Sequence, residues 1–384
     1  MKNTFKLSLA AVLVSSAMTA NAGSVFEMKG DNGSFFSIGG NVELNFNYVD
    51  GDQDTGVDFD VEDSEWNQDG RVLIEFAGEK VTDSGNYVGV KAQPLFESTG
   101  NVALDDAYFE FGKKESWAVR AGRYEAYDMF PQVDVFLDYS GDTANDLYTD
   151  GSLYVYQSKE ARGRGSDGQV MYFQNFGNLY VELGTMLGDR SGLFSDSGII
   201  DGKSYHGEAI VSTEDSFLIR PVVAYTMGNF KLAASMETNL AEDTAVTSSG
   251  VDVGDRTGYG LSGNYANGDF SANLSLAYMD AVDEENYSAS VNVLYKNFGL
   301  GYIHGTNSYE SKEINFVDGD VAVDTAYASY TFENVLAVED FSILLGAFYS
   351  TIDDSDLERN SLTSVGTFQE EDDFGGRIRL FYEF

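Results

Sequence analysis

Apolar side chains occupy every second position in long stretches of the chain. The first stretch runs from Phe36 to Tyr48, with glycine and polar residues at the positions between them. The pattern returns at 72–76, 230–236, 270–278 and 287–295. Because successive side chains of a strand point to opposite faces, a period of two predicts strands with one apolar and one polar face. Helical spacing is not sustained anywhere, so the pattern predicts an all-β protein.

Sixteen strands are predicted from this alternation. Many of them have ten or more residues, which is long for a soluble sheet and close to the length that a tilted membrane strand requires. An even number of strands also returns the chain to the side on which it started. The predicted strands are 36–48, 71–81, 86–97, 105–113, 117–126, 168–176, 178–188, 216–228, 229–239, 256–267, 269–280, 285–296, 298–308, 323–333, 340–352 and 375–384.

The connections between these strands are predicted to alternate in length. Short polar turns lie at 82–85, 177–178, 228–229 and 267–268, and the intervening connections are long and acidic, at 49–70, 127–167, 189–215, 240–255, 309–322 and 353–374. Aromatic residues lie beside the short turns, at Trp117, Phe176, Phe230, Phe270, Phe298, Phe332 and Phe341. A soluble β-sandwich also alternates, but it has no reason to sort its connections by length. The pattern therefore favours a transmembrane β-barrel whose apolar face meets lipid.

The first 22 residues have the organisation of a secretory signal peptide. Lys2 and Lys6 form a short positive region, 7–14 an apolar one, and 20–22 a small-residue cleavage site. We therefore expect a signal peptide over 1–22 and one barrel domain over 23–384.

Charge and composition exclude several functions. A net charge of −40 repels nucleic-acid phosphates, and the absence of cysteine excludes disulfides, thiolate zinc sites and cysteine nucleophiles. Only His206 and His304 are available for imidazole chemistry, so we expect no enzyme activity, no cofactor and no high-affinity metal site. The one candidate for a lipase or protease barrel is His206 with the acidic residues of 189–215. Weak divalent cation binding at the acidic loops, for example at 50–56, is the remaining expectation.

The end of the chain and two loop segments resemble a known family. The strand 377–384 alternates and ends in Phe384, with an aromatic residue two positions earlier, as in the assembly signal of bacterial outer-membrane barrels. Segments 122–131 and 140–146 resemble the fifth strand and constriction loop of the trimeric general porins. Segment 160–165 is similar to carbohydrate-selective relatives such as the raffinose porin.

This resemblance implies a homotrimer of 16-stranded antiparallel barrels, each with its third extracellular loop, about 127–167, folded into the pore. It also implies a basic wall that faces an acidic loop. The basic wall would comprise Arg71, Lys91, Arg120, Arg123, Arg162 and Arg164, and the acidic side Asp134, Asp138 and Asp142. Strict alternation from Trp117 turns Arg120 inward and Arg123 outward, so a bulge at Gly122 would be needed to bring both into the pore.

Aromatic residues of the same loop are candidates for stacking on sugar rings. They are Phe130, Phe136, Tyr139, Tyr148, Tyr154 and Tyr156. The alternative is that these rings pack the loop against the wall.

The expected function is passive diffusion of small hydrophilic solutes, sugars or oligosaccharides, through a water-filled channel that prefers cations. Two alternatives stay open: a non-selective general diffusion porin, and a non-conducting structural or adhesive surface barrel. The expected location is the outer membrane of a Gram-negative bacterium. Expected partners are two further copies of the chain, outer-membrane lipid and lipopolysaccharide, the periplasmic chaperones and the barrel-assembly machinery.

Overall fold

The computed structural model describes most of the chain beyond the predicted signal peptide. The described ranges are 25–54, 60–131, 155–164, 168–188, 195–196, 203–206, 208–314, 317–353, 358–359 and 371–384. The predicted acidic residues Asp134, Asp138 and Asp142 lie outside them, as do Phe136, Tyr139, Tyr148 and Tyr154. Within the described ranges, no helix is long and apolar enough to cross a membrane.

Sixteen antiparallel strands form one closed barrel. They are β1 (Phe35–Asp54), β2 (Asp60–Val81), β3 (Asn86–Glu97), β4 (Val102–Lys113), β5 (Trp117–Arg123), β6 (Gly168–Phe176), β7 (Leu179–Gly188), β8 (Ser216–Met227), β9 (Phe230–Asn239), β10 (Thr257–Asn267), β11 (Phe270–Ala281), β12 (Glu284–Tyr295), β13 (Phe298–Tyr309), β14 (Val317–Phe332), β15 (Phe341–Asp353) and β16 (Glu371–Glu383). Each strand overlaps one of the sixteen predicted ranges, and the predicted fold class is confirmed.

One connection predicted to be long is wrong in length. The expected loop 49–70 is mostly strand, because β1 and β2 pair from Phe35 with Glu79 up to Asp54 with Asp60. A ladder of backbone hydrogen bonds continues where apolar alternation stops, because strand pairing does not require an apolar face.

The barrel closes where its last strand meets its first. β16 pairs with β1 from Asn41 with Glu383 onward, and Gly40 and Phe384 exchange backbone hydrogen bonds of 2.8 and 2.9 Å. A short N-terminal strand, Phe26–Lys29, pairs with the beginning of β1. The sheet therefore has no free edge between β1 and β16, which is the condition for crossing hydrocarbon.

The two faces of the barrel differ as the alternation predicts. On β11, Asn273 is 2% exposed whereas its neighbour Leu274 is 54% exposed. On β16, Ile378 and Tyr382 face outward and Arg379 is buried inside. The apolar outer face suits lipid, and the polar inner face lines the lumen.

A small second sheet covers part of the end of the barrel that carries the β5–β6, β7–β8 and β9–β10 connections. We name it the cap sheet; its strands are Ser195–Asp196, Lys203–Tyr205, Glu208–Thr213 and Ala245–Thr247. The cap sheet has its own apolar core, formed by Tyr205, Ala245, Val253 and Ile314.

Gly40 offers a test of the closure. A Cβ at this position would overlap the Leu73 backbone oxygen on β2, so Gly40→Ala is expected to destabilise the barrel by about 1–3 kcal/mol. The measurement is the temperature at which the folded barrel loses its compact mobility on a detergent gel. Gly263→Ala is the matched control, because its Cβ would lie 3.5 Å from the Leu232 side chain, an ordinary contact. Equal unfolding temperatures for the two variants would contradict the close approach of β1 and β2 at Gly40.

Candidate functional site

Two segments of the β5–β6 connection lie against the inner face of the barrel. We name residues 124–131 the proximal arm and residues 155–164 the distal arm. A bridge between Glu125 and Gly163 joins the two arms where they leave the wall, and the Ala126 amide donates to the Arg162 carbonyl over 2.8 Å.

The distal arm is anchored by side chains of β9 and β12. The Tyr156 hydroxyl donates to Glu237 over 2.6 Å, and the hydroxyls of Ser158 and Ser235 lie 2.8 Å apart. The Ser288 hydroxyl donates to the Tyr156 carbonyl. Glu237 also accepts the backbone amides of Glu160 and Ala161, so the arm supplies this buried carboxylate with hydrogen-bond donors.

Inward glycines provide the space for this arm. A Cβ on Gly258 would overlap the Tyr156 hydroxyl, and one on Gly305 would lie 3.1 Å from Val155. Neither glycine has a positive φ, so their role is space rather than backbone freedom. The absence of side chains at these wall positions therefore lets the arm approach the strands closely.

Arg220 on β8 ties both arms to the wall. Its side chain is fully buried, and it donates to the carbonyls of Tyr127 at 2.9 Å and Ser158 at 3.1 Å. The carboxylates of Glu182 and Glu237 lie 3.5 and 3.7 Å from the guanidinium. A buried guanidinium needs this degree of pairing, and removal of either carboxylate would leave uncompensated charge in the lumen wall.

Pro221 follows this anchor, and a proline inside a strand cannot donate a backbone hydrogen bond to the ladder. The pairing of β8 with β9 skips Arg220 and Pro221, but it resumes at Val222 with Ser235 without a change of register. The proline therefore interrupts the ladder on one side only, since β7 still pairs through Leu183.

The proximal arm packs its aromatic side chains onto the wall. The Tyr127 amide donates to Glu182, and burial raises the pKa of the Tyr127 phenol, so this ring stays neutral. Phe130 and Tyr156 are each 1% exposed. Of the six rings proposed for sugar stacking, these two lie within the described residues, and neither presents a free face to a solute.

A ladder of amide side chains supports the end of the proximal arm. Asn264 donates to Asn273 over 2.6 Å, Asn273 donates to Asn292 over 2.7 Å, and Asn292 donates to the Pro131 carbonyl over 3.1 Å. The ladder runs across β10, β11 and β12. The two arms together therefore contact the inner faces of strands from β7 to β13.

The remaining wall carries the predicted basic residues, and carboxylates lie between them. Arg71 on β2 contacts Glu43 on β1 at 3.1 Å, and Arg379 reaches the same carboxylate at 3.6 Å. Lys91 lies 3.1 Å from Glu75. Positive and negative side chains therefore alternate along this wall, whereas the resemblance to the porins implied a basic wall.

The same pairing continues on β4 and β5. Arg120 faces inward and contacts Glu110 at 2.6 Å, with its guanidinium 4.3 Å from the centre of the Tyr108 ring. Asp106 lies 3.6 Å from Lys91 and 3.4 Å from Arg164. One carboxylate thus joins two of the predicted basic residues.

The expected bulge at Gly122 is wrong. The partners of β4 and β5 run without a shift from Lys113 with Trp117 to Ala107 with Arg123, although Gly122 has a φ of 122°. Arg123 donates to three backbone carbonyls, those of Leu104, Asp105 and Arg164. It therefore braces the rim of the barrel and does not join Arg120.

Arg162 and Arg164 lie where the distal arm returns to the wall. Arg162 contacts Glu125 at 3.3 Å and Asp128 at 3.7 Å, both on the proximal arm. Arg164 contacts Asp105 at 2.6 Å on β4. These two arginines therefore hold the arms to each other and to the rim.

Sequence reasoning missed the residues that anchor the arms. Glu182, Arg220 and Glu237 were not identified, although each stands between apolar or uncharged neighbours at an inward position of its strand. That signal marks a polar inner face but does not say which inward residue meets the loop.

Comparison with known proteins shows the family. The sequence model of the family described as porin-like glycoporin RafY matches residues 38–384. No curated protein matches the chain.

Solved structures share the fold at low sequence identity. The anion-selective porin from Comamonas acidovorans has a TM-score of 0.57 at 14% identity, over 91% of this chain and 100% of that one. OmpF of Salmonella typhi in complex with daunomycin has a TM-score of 0.55 at 13% identity, over 94% and 100%. OmpT of Vibrio cholerae has a TM-score of 0.52 at 14% identity, over 93% and 100%. The chain belongs to the family of porin-like glycoporins, and it is an outer-membrane β-barrel channel for the diffusion of solutes.

Proposed function

We propose that the channel favours uncharged sugars and oligosaccharides and, among ions, prefers cations. The observation that carries the sugar preference is the alternation of charge along the wall, where Arg71, Lys91 and Arg120 each contact a carboxylate of a neighbouring strand. Paired charges present many hydrogen-bond donors and acceptors with little net field. Sugar hydroxyls both donate and accept, so a neutral polar solute gains more from such a wall than an ion does.

The constriction in this proposal is the β5–β6 connection, about 127–167, folded inward as a whole. Its two arms support the proposal because together they contact inward residues of strands from β7 to β13. A path for solutes would then run on the opposite side, along β14 to β16 and β1 to β6, where the paired charges lie. Size selection follows from the width that the loop leaves free.

The cation preference rests on the overall charge. Acidic residues outnumber basic ones by 63 to 23, and the long connections hold many of them. Such a mouth concentrates cations and repels anions. Weak binding of divalent cations at the same loops follows from the same charge and stays a prediction.

We further propose a homotrimer in contact with outer-membrane lipid and lipopolysaccharide, assembled with the help of periplasmic chaperones and the barrel-assembly machinery. A similar barrel, OmpT of Vibrio cholerae, is described in a trimer form, with a TM-score of 0.54 at 13% identity. The detergent-solubilised mass would be three times that of the chain. A monomeric mass in mild detergent would overturn this part of the proposal.

The alternatives differ in measurable ways. A non-selective general porin would pass salts and sugars alike, and an adhesive barrel would not conduct. The enzyme alternative relied on His206, which is 2% exposed and lies 3.0 Å from the Glu284 carboxylate. A side chain buried in this way is not presented to a substrate.

Sugar binding is tested by single-channel current in a planar bilayer. Oligosaccharides at millimolar concentration are expected to reduce the current reversibly, because an occupied constriction excludes ions. Current that no oligosaccharide reduces would contradict the sugar preference and favour the non-selective alternative.

The paired wall makes a prediction about ion selectivity. Glu75→Gln leaves Lys91 with less compensation, so the cation preference is expected to fall, whereas Lys91→Gln is expected to raise it. The double variant should return close to the original selectivity. Reversal potentials in a salt gradient measure all three. If the reversal potential shifted in the same direction in both single variants, the Glu75–Lys91 pair would not set the electric field in the pore.

The close contact between the distal arm and Gly258 gives a further prediction. Gly258→Ala places a methyl group where the Tyr156 hydroxyl lies, so the arm is expected to move off the wall and conductance to change. Gly184→Ala is the matched control on the inner face of β7, because its Cβ would lie 3.6 Å from the nearest atom, the Arg220 carbonyl oxygen. Equal conductance in both variants would contradict the proposal that this arm shapes the constriction.

A further inference from the structure

The cap sheet reaches across the mouth of the barrel. Its strands come from the β7–β8 and β9–β10 connections, but its bonds go to the beginning of β12 and to neighbouring residues. The Tyr205 hydroxyl donates to the Val282 carbonyl over 2.6 Å and lies 3.1 Å from Glu284. The segment 203–206, which belongs to the β7–β8 connection, therefore lies against the beginning of β12, several strands further around the wall.

His206 lies at the centre of this junction. Its Nε2 atom is 3.0 Å from Glu284, and both side chains are at most 2% exposed. The imidazole stacks on Tyr205 at 3.9 Å between ring centres and meets the edge of Tyr309 at 5.1 Å. Glu284 also accepts from Asn286 at 2.6 Å. Glu284 and Tyr309 are inward side chains of β12 and β13, so the cap is fastened to the inside of the rim.

A second set of bonds joins the same rim to the β13–β14 connection. Asp283 accepts the backbone amides of Glu313 at 2.7 Å and Ile314 at 2.6 Å. Ile314 in turn belongs to the apolar core of the cap sheet. Three connections therefore meet at the beginning of β12.

The β9–β10 connection, which supplies one strand of the cap sheet, also contacts the distal arm. Arg256, at the end of the β9–β10 connection, contacts Glu160 of the distal arm at 2.6 Å. The cap and the distal arm thus form two layers on one side of the lumen, with the wall of paired charges on the other side.

The backbone at the junction adopts conformations that need support. His206 and Asp283 have φ values of 49° and 55°. Non-glycine residues adopt this left-handed region uncommonly, and such residues persist where their surroundings hold them. Loss of the side-chain contacts would therefore favour release of the segment.

We propose that the cap sheet is an outer gate in series with the constriction, and that the His206–Glu284 pair holds it closed against β12 and β13. This proposal rests on the channel function and adds a second barrier to it. With the pair intact, solutes enter beside β14 to β16 and β1 to β6. With the pair broken, the cap leaves the rim and the mouth widens.

Glu284→Gln tests the gate with little change of shape. Removal of one partner from a buried pair is strongly unfavourable, so the ratio of time spent at a higher conductance level to time at the basal level is expected to rise about tenfold or more. Single-channel recording measures this ratio. His304→Ala is the control. His304 is the other histidine of the chain, and it lies on β13, outside the cap sheet.

Chemical labelling gives an independent readout. The chain has no cysteine, so Ser204→Cys introduces a single thiol at a buried position of the cap. We expect a membrane-impermeant thiol reagent to label it about tenfold faster or more when Glu284→Gln is also present. If Glu284→Gln does not fold, His206→Gln takes its place in both experiments.

The outcomes separate the gate from the channel. Faster labelling together with new conductance levels supports the gate. Equal labelling rates, or faster labelling with an unchanged current, overturn it. If the unaltered protein carries no current, the channel function fails instead, and labelling alone decides whether the pair holds the cap.

Discussion

Hydrocarbon offers no hydrogen-bond partners to a polypeptide backbone, and this constraint governs the whole structure. A chain that crosses lipid as strands must close its ladder, which here happens at the exchange of bonds between Gly40 and Phe384. Closure fixes one face of every strand toward lipid and the other toward the lumen. The period of two in the sequence is the direct consequence.

The inner face obeys a second constraint, that buried charge must be paired. The buried Arg220 guanidinium is paired with backbone carbonyls of both arms and with two carboxylates of the wall. On the opposite wall, basic side chains alternate with acidic ones. The lumen is thus divided into a side filled by the β5–β6 arms and the cap, and a side lined by paired charges. That division links the fold to the proposed sugar preference, because the solute path runs along the polar side.

Sequence alone located the barrel strands because lipid imposes alternation on them. It failed at 49–70, where β1 and β2 continue as a hairpin in which acidic residues outnumber the apolar ones and the apolar alternation is not sustained. It also placed a bulge at Gly122, because the need to turn Arg123 inward came from the family pattern and not from this chain's register. The seat of the distal arm, including Gly258, could not be predicted, since it depends on which strands closure brings opposite the loop.

The central claim is that solutes pass beside the paired-charge wall and not under the arms. Single cysteines at Arg71 and at Ser290 test it directly, because the first is on the proposed path and the second is buried at the inner wall of β12. A charged thiol reagent added to conducting channels should reduce the current through the Arg71→Cys channel and leave the Ser290→Cys channel unchanged. Equal block at both positions, or block at Ser290→Cys alone, would contradict the account.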